Sequence, residues 1–225
     1  MKWLGMDTST RACSVAVSDG AVVLTEITIA GRDRPSDQLM TSVQQVLAAA
    51  GLTLADLDGV AVSAGPGSFT GLRVGVTAAK TLAYTLGKPV TAVSSLDVLA
   101  ANVPAPRWPF WVLVDARKEK LYAARYEGSA DDGSPARIGD EQLVTLDQLL
   151  PQLTGEVAIL GDGLVRYGAA IQQALGVRSH PLPPALWVPR ASAVCRLAAS
   201  AAPAPDVHAL VPRYLFSKES DITGW

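Results

Sequence analysis

The sequence of 225 residues is long enough for one large domain or for two smaller halves that each bury a core. Apolar residues make up 49% and charged residues 18% of the chain, which is typical of a folded globular protein and excludes a disordered one. The formal net charge of -2 does not favour a protein that binds nucleic acid through a broad basic surface.

Three strands open the chain, and the second and third are joined by Asp19-Gly20, a dipeptide typical of a tight hairpin turn. Apolar residues at helical spacing then predict a helix over about Ser36–Ala50. A buried strand at 58–65, a glycine-rich turn and a second helix to about Leu86 follow. These elements form a βββαβα unit, which a further strand and a helix from Ser95 extend.

The second half repeats features of the first at an offset of roughly a hundred residues, because Asp7 and Asp115 each end an apolar strand. Three prolines at 104–109 mark the boundary between the halves. We therefore predict an N-terminal lobe at 1–104 and a C-terminal lobe at 105–225, the latter with a partial repeat and a C-terminal tail. The pattern favours an α/β fold in which each lobe is a mixed sheet with helices.

A glycine-rich turn lies between a strand and a helix in the stretch Ser63–Lys80, "SAGPGSFTGLRVGVTAAK". It resembles a phosphate-binding loop in composition. It lacks the Gly-Lys-Ser/Thr ending of a P-loop, and it lacks the glycine spacing of a dinucleotide-binding turn. The residues alone therefore leave the role of this turn open.

The two aspartate-ended strands resemble the acidic turns of the duplicated actin-like (ASKHA, RNase H-like) fold of sugar kinases and heat-shock ATPases. The hydroxyl residues after Asp7 suit a loop that holds phosphate oxygens. The second turn fits less well, since Arg117 can hold an anion but obstructs a tight backbone cradle. A working nucleotide cleft of a small kinase or ATPase and a vestigial cleft both stay open. The candidate residues are Asp7, Thr8, Ser9, Thr10, Asp115 and Arg117.

Metal and nucleophile motifs are missing from the sequence. The two histidines, His180 and His208, form no His-x-x-x-His pair, and we expect both to be ordinary surface residues. No Gly-x-Ser-x-Gly elbow surrounds Ser63 or Ser68. We predict no metal site and no catalytic residue, which leaves a peptidase without support.

The first two long helices carry little charge for surface helices. Residues 38–50 contain no charged side chain, and residues 70–86 contain two, Arg73 and Lys80. We predict that these helices form a partner-binding surface, and the alternative is that both are buried between the lobes. The predicted interface residues are Leu39, Val43, Gln44, Val46, Leu47, Leu72, Gly75, Val76, Ala79, Lys80 and Ala83.

Five blocks of the sequence resemble the TsaB (YeaZ) family, and together they run from one end of the chain to the other. They read "GMDTSTRACSVAV", "AVSAGPGSFTGLRVGVTAAKTLA", "VSSLDVLA", "VDARKEKLYAARY" and "VPRYL". The resemblance implies an actin-like fold of two lobes. The residues at 31–39 and the tail after "YL" depart from the usual family pattern, which puts in doubt any role borrowed for those segments.

The resemblance implies a non-catalytic platform that is required for N6-threonylcarbamoyladenosine formation at adenosine 37 of ANN-decoding tRNAs. The platform binds and activates the catalytic paralogue TsaD together with the ATPase TsaE, while TsaC or a relative makes the adenylate donor. It implies a homodimer when the chain is alone and contact with tRNA only through the complex. It implies no cofactor of its own, and leaves open whether ATP or ADP binds at the complex interface.

The resemblance also suggests a role for the glycine-rich turn, which is to launch the second helix so that its face can pack on another protein. The residues of this turn are Gly65, Pro66, Gly67, Ser68 and Gly71. We further expect Cys13 and Cys195 to be buried thiols, and the protein to be cytoplasmic, because no signal peptide or apolar span is recognised.

Overall fold

The computed structural model describes residues 1–31, 35–104, 108–128, 135–204 and 206–215. The chain folds into two compact units, the first of which contains Met1–Asn102 and Val188–Arg213. A five-stranded mixed sheet forms the centre of this first unit, with the order β3-β2-β1-β4-β5. β1, β2 and β3 are antiparallel neighbours, whereas β4 and β5 run parallel to β1. The strands are β1 (Lys2–Asp7), β2 (Ala12–Asp19), β3 (Val22–Ala30), β4 (Gly59–Ser63) and β5 (Val90–Val93).

Helices cover both faces of this sheet. Alternate strand residues point to opposite faces, so Leu4 and Met6 pack with α1 and α2, while Trp3 and Ala16 pack with α6. α1 contacts β2 and β3, and α2 contacts β4 and β1, so these two helices lie above neighbouring strands. The helices of this unit are α1 (Leu39–Ala49), α2 (Phe69–Leu86), α3 (Ser95–Ala100) and α6 (Ala191–Ser200).

The ends of the elements follow local sequence signals. Gly20 has φ 58° in the turn between β2 and β3, as the hairpin signal predicts. The Ser68 side chain accepts a hydrogen bond from the Gly71 amide at 3.3 Å and caps the start of α2. Gly87 ends α2 with φ 61°, a left-handed conformation that glycine adopts without strain.

The second unit repeats the topology of the first. Its sheet has the order β10-β9-β6-β7-β8, so the strands correspond one to one with those of the first sheet when read from the other edge. β6, β7 and β8 are antiparallel neighbours, and β9 and β10 run parallel to β6. The duplicated, two-lobed α/β fold is therefore confirmed. The elements are β6 (Phe110–Arg117), β7 (Lys120–Gly128), β8 (Pro135–Thr145), α4 (Leu146–Leu149), β9 (Val157–Leu160), α5 (Gly163–Leu175) and β10 (Ser179–Pro181).

The division of the chain differs from the predicted boundary at 104/105. The first unit contains Met1–Asn102 and also Val188–Arg213. The prediction placed residues 188–213 in the C-terminal lobe, and for these residues it is wrong. The reason is the apolar side of α6, which packs on β1 and β2 of the first sheet. Gly5 permits this contact, since a Cβ there would lie 2.6 Å from Cys195 Sγ.

The segment after α6 continues along the first unit. The Ala204 amide donates to Val90 O at 2.8 Å, and the Arg213 amide donates to Ala64 O at 2.7 Å. Leu210 is buried in the same core as α1 and α2. Of the predicted C-terminal tail, the residues from 216 onward lie outside the described residues.

Two further expectations can be compared with the structure. Cys13 and Cys195 are free, buried thiols, as predicted. Within the described ranges, no helix has the length and hydropathy needed to cross a bilayer.

Candidate functional site

The glycines of the turn before α2 allow two stretches of backbone to touch. The Ser68 amide donates to Ser9 O at 2.7 Å, which joins the turn to the loop between β1 and β2. A Cβ at Gly67 would collide with Ser9 O, and one at Gly71 would collide with Thr8 O. The glycines are therefore required because α2 begins directly against this loop.

The loop after β1 is closed by its own hydrogen bonds. Asp7 is 1% exposed, and its Oδ1 accepts from both the amide and the hydroxyl of Ser9 at 2.9 Å. The Thr8 hydroxyl donates to Gly71 O at 2.7 Å. Burial raises the pKa of the Asp7 carboxyl, and its hydrogen bonds oppose this effect only in part. The carboxylate is thus inaccessible to a magnesium nucleotide in this structure.

The equivalent loop of the second unit has the same aspartate geometry and a different surface. Asp115 Oδ1 accepts from the Arg117 amide at 2.9 Å, as Asp7 accepts from the amide two residues after it. Arg117, Lys118 and Glu119 all have positive φ, at 65°, 46° and 62°. Arg117 is exposed, and its long side chain follows the aspartate where a tight phosphate cradle would need small residues.

The two histidines differ from each other. His180 is half-buried, with Nε2 2.5 Å from Glu156 Oε2 and its ring stacked on Trp108 at 4.1 Å between centroids. His208 is exposed beside Tyr84. His180 thus has two neighbours that the sequence did not indicate, and its pair with Glu156 lies at the surface. Over the part of the chain that the structure describes, no three His, Cys, Asp or Glu side chains come together as metal ligands would.

Most of the residues predicted for the partner interface are buried in the core of their own unit, which corrects the prediction. Buried side chains cannot face a partner, and the small and apolar residues at helical spacing pack on the sheet instead. Of the predicted set, Gln44 is exposed and Lys80 is half-buried. The buried members are Leu39, Val43, Val46, Leu47, Leu72, Gly75, Val76, Ala79 and Ala83.

The opposite faces of the same two helices are exposed. We call this surface the outer face, and it has few charged side chains. α1 contains no charged residue at all, and its Met40 is 46% exposed. The exposed residues of the outer face are Met40, Thr41, Gln44, Gln45, Ala48 and Ala49 of α1 and Phe69, Thr70, Arg73, Thr77, Thr81, Tyr84 and Thr85 of α2.

Both cations of α2 interact with groups of the first unit. The Arg73 guanidinium lies 3.9 Å from the centre of the Phe69 ring. Lys80 Nζ donates to His208 O at 3.1 Å, in the segment that follows α6. This segment therefore borders the outer face along one side of α2.

Sequence comparisons agree on one family. A family profile described as "TsaD: tRNA N6-adenosine threonylcarbamoyltransferase" matches residues 29–202. The chain is 33% identical to the Bacillus subtilis tRNA threonylcarbamoyladenosine biosynthesis protein TsaB, over 98% of this chain and 96% of that protein. It is 32% identical to the Escherichia coli protein of the same name, over 72% of each.

Solved structures give the same result. A structure described as YeaZ from Pseudomonas aeruginosa has a TM-score of 0.76 and 26% identity, covering 95% of this chain and 99% of that one. A second, described as an uncharacterized protein with similarity to peptidase YeaZ from the same organism, has a TM-score of 0.81 and 25% identity. It covers 96% of this chain and 99% of that one. The similarity thus extends over both units.

Proposed function

The chain belongs to the TsaB (YeaZ) family of tRNA threonylcarbamoyladenosine biosynthesis proteins, and from this we propose that it is the non-catalytic platform of the threonylcarbamoyl transferase complex. In this proposal it binds and activates a TsaD-type transferase, which modifies adenosine 37 of ANN-decoding tRNAs in the cytoplasm. TsaE joins the same complex, and the chain contacts tRNA only through it.

The platform role is supported by the burial of the candidate carboxylate and by the lack of a metal-binding motif in the sequence. Asp7 is buried and hydrogen-bonded by Ser9, so it is not presented to a ligand. The sequence contains no pair of histidines at metal-binding spacing. The family profile that matches this chain is named after the transferase, which agrees with a fold that the two proteins share. A paralogue can keep a fold and take a different role.

The observation that carries the docking proposal is the outer face of α1 and α2. Threonine is a weaker helix former than alanine, lysine or glutamate, so exposed threonines reduce helix stability without adding charge for solubility. Thr77, Thr81 and Thr85 occupy such positions in α2. A surface with few charges and with exposed Met40 and Tyr84 has the composition of the centre of a protein interface. We place the transferase on this face, and a second copy of the chain on the same face when the transferase is absent.

The direct test is reconstitution of the modification with TsaC, TsaD and TsaE of the same organism, with and without this chain. Threonylcarbamoyladenosine in tRNA is measured by mass spectrometry. We expect modification only when the chain is present, and equal modification without it would contradict the proposal. A preparation with Asp7→Asn serves as a control, because the proposal assigns no chemistry to this carboxylate.

A further inference from the structure

A polar cavity of about 560 Å³ lies at the start of α2 in the first unit. Three segments line it, and they come from distant parts of the sequence. The loop after β1 contributes Thr8, Thr10 and Arg11, the 3-10 turn before α1 contributes Pro35, Ser36 and Asp37, and the start of α2 contributes Ser68, Thr70, Gly71 and Val74.

Apart from Asp37, the charged and polar groups of this lining suit an anionic group. Arg11 is exposed, and no ion pair holds it among the residues that the structure describes. A guanidinium binds a carboxylate through two parallel hydrogen bonds. The hydroxyls of Thr10, Ser36 and Thr70 offer further donors around it, and the beginning of an 18-residue helix adds a partial positive charge.

The cavity opens beside the outer face. Thr70 belongs both to the lining and to the exposed side of α2, and Val74 lies one turn further along the same helix. A protein that covers the outer face as far as Thr70 reaches the edge of the cavity, so one of its side chains can enter it.

We propose that this cavity receives an acidic side chain of the transferase, with Arg11 as the residue that binds its carboxylate. The inference rests on the proposed function, because the transferase must first dock on the outer face. Among the described residues of the lining, Asp37 is the acidic side chain, and it repels an incoming carboxylate. Its removal therefore does not weaken binding.

The experiment measures the affinity of the full chain for the purified TsaD transferase by calorimetry at low and high salt. Arg11→Glu should weaken binding at least about tenfold at low salt, and the loss should shrink as salt screens the charge. Asp37→Asn should bind at least as tightly as the unchanged chain. Lys118→Glu makes the same change of charge at an exposed position of the second unit and should have no effect. Circular dichroism confirms that each variant is folded.

A second variant separates the cavity from the docking face. Thr77→Arg places a large cation in the middle of the outer face and should abolish binding. If Thr77→Arg loses binding and Arg11→Glu keeps full affinity, the cavity proposal is wrong and the docking proposal stands. If Thr77→Arg also binds normally, the docking proposal fails and the cavity proposal fails with it.

Discussion

The hydroxyl of Thr8 donates to the main-chain oxygen of Gly71 at 2.7 Å, and this contact joins the loop after β1 to the first turn of α2. In an actin-like nucleotide site this loop would face phosphate. Here the loop faces a helix of its own unit, and the glycines of the turn let the two backbones approach. The glycine-rich turn is explained by this approach and requires no bound phosphate.

Gly71→Ala should destabilise the protein by about 1–3 kcal/mol, because its Cβ would collide with Thr8 O. Urea unfolding measures the change. Gly168→Ala on α5 is the matched control, since a Cβ there has its nearest contacts at 3.7 Å. The control should be neutral or stabilise by up to about 1 kcal/mol through helix propensity. Equal effects at the two sites would contradict the packing explanation.

Val43→Glu should unfold the first unit rather than selectively remove partner binding. Val43 is 1% exposed in the core, and a buried unpaired charge costs more than about 3 kcal/mol. Gln44→Glu places the same side chain one position along α1, where it is exposed, and should leave the stability nearly unchanged. Thermal unfolding compares the two. A folded Val43→Glu protein would show that α1 is not packed as described.

Leu210→Ala tests whether the segment after α6 belongs to the first unit. Leu210 is 5% exposed and packs in the core of α1 and α2, so its truncation should cost about 2–4 kcal/mol. Val211 is 63% exposed, and Val211→Ala should change stability by no more than about 0.5 kcal/mol. Chemical unfolding of the two variants gives the comparison. Similar small effects would mean that this segment does not stabilise the core.

Asp7→Asn should change how stability depends on pH. Burial raises the pKa of Asp7 above its unfolded value of about 4, so the folded state binds the proton more tightly. The stability that the protonated carboxyl contributes is complete below the unfolded pKa and is lost as pH rises through the folded pKa. The free energy of unfolding of the unchanged chain minus that of Asp7→Asn should therefore fall as pH rises.

Asp56→Asn provides a control of opposite sign for this titration. Hydrogen bonds from Thr53 lower the pKa of Asp56 at the surface. The stability that the ionised Asp56 carboxylate contributes is present above the unfolded pKa and is lost as pH falls. The free energy of unfolding of the unchanged chain minus that of Asp56→Asn should therefore rise with pH. Urea titrations over a pH series measure both differences. A flat difference for Asp7→Asn would contradict the raised pKa.

Much of the fold could be predicted from local patterns. The hairpin at Asp19-Gly20, the helical spacing of α1 and α2, and the stop at Gly87 are all encoded by neighbouring residues. β10 could not be recognised, because it has three residues and one of them is Pro181. The packing of α6 on the first sheet could not be predicted either. It depends on contacts between residues that are far apart in the sequence, such as Cys195 and Gly5.

The candidate site was harder to predict than the fold, and for a physical reason. Small and apolar residues at helical spacing, such as Val76 and Ala79, indicate a packed face without saying what packs on it. The structure packs that face on the chain's own sheet. The more informative sequence signal was on the other side of the helix, where Thr77 and Thr81 occupy exposed positions that charged residues usually fill.

The most direct test of the docking proposal compares two arginine substitutions in the reconstituted tRNA modification reaction. Thr77→Arg lies on the outer face of α2, and Ala169→Arg introduces the same side chain on the exposed side of α5 in the second unit. We predict that Ala169→Arg supports normal threonylcarbamoyladenosine formation and that Thr77→Arg, equally folded, supports none. Normal modification with Thr77→Arg would contradict the proposal that the transferase docks on the outer face.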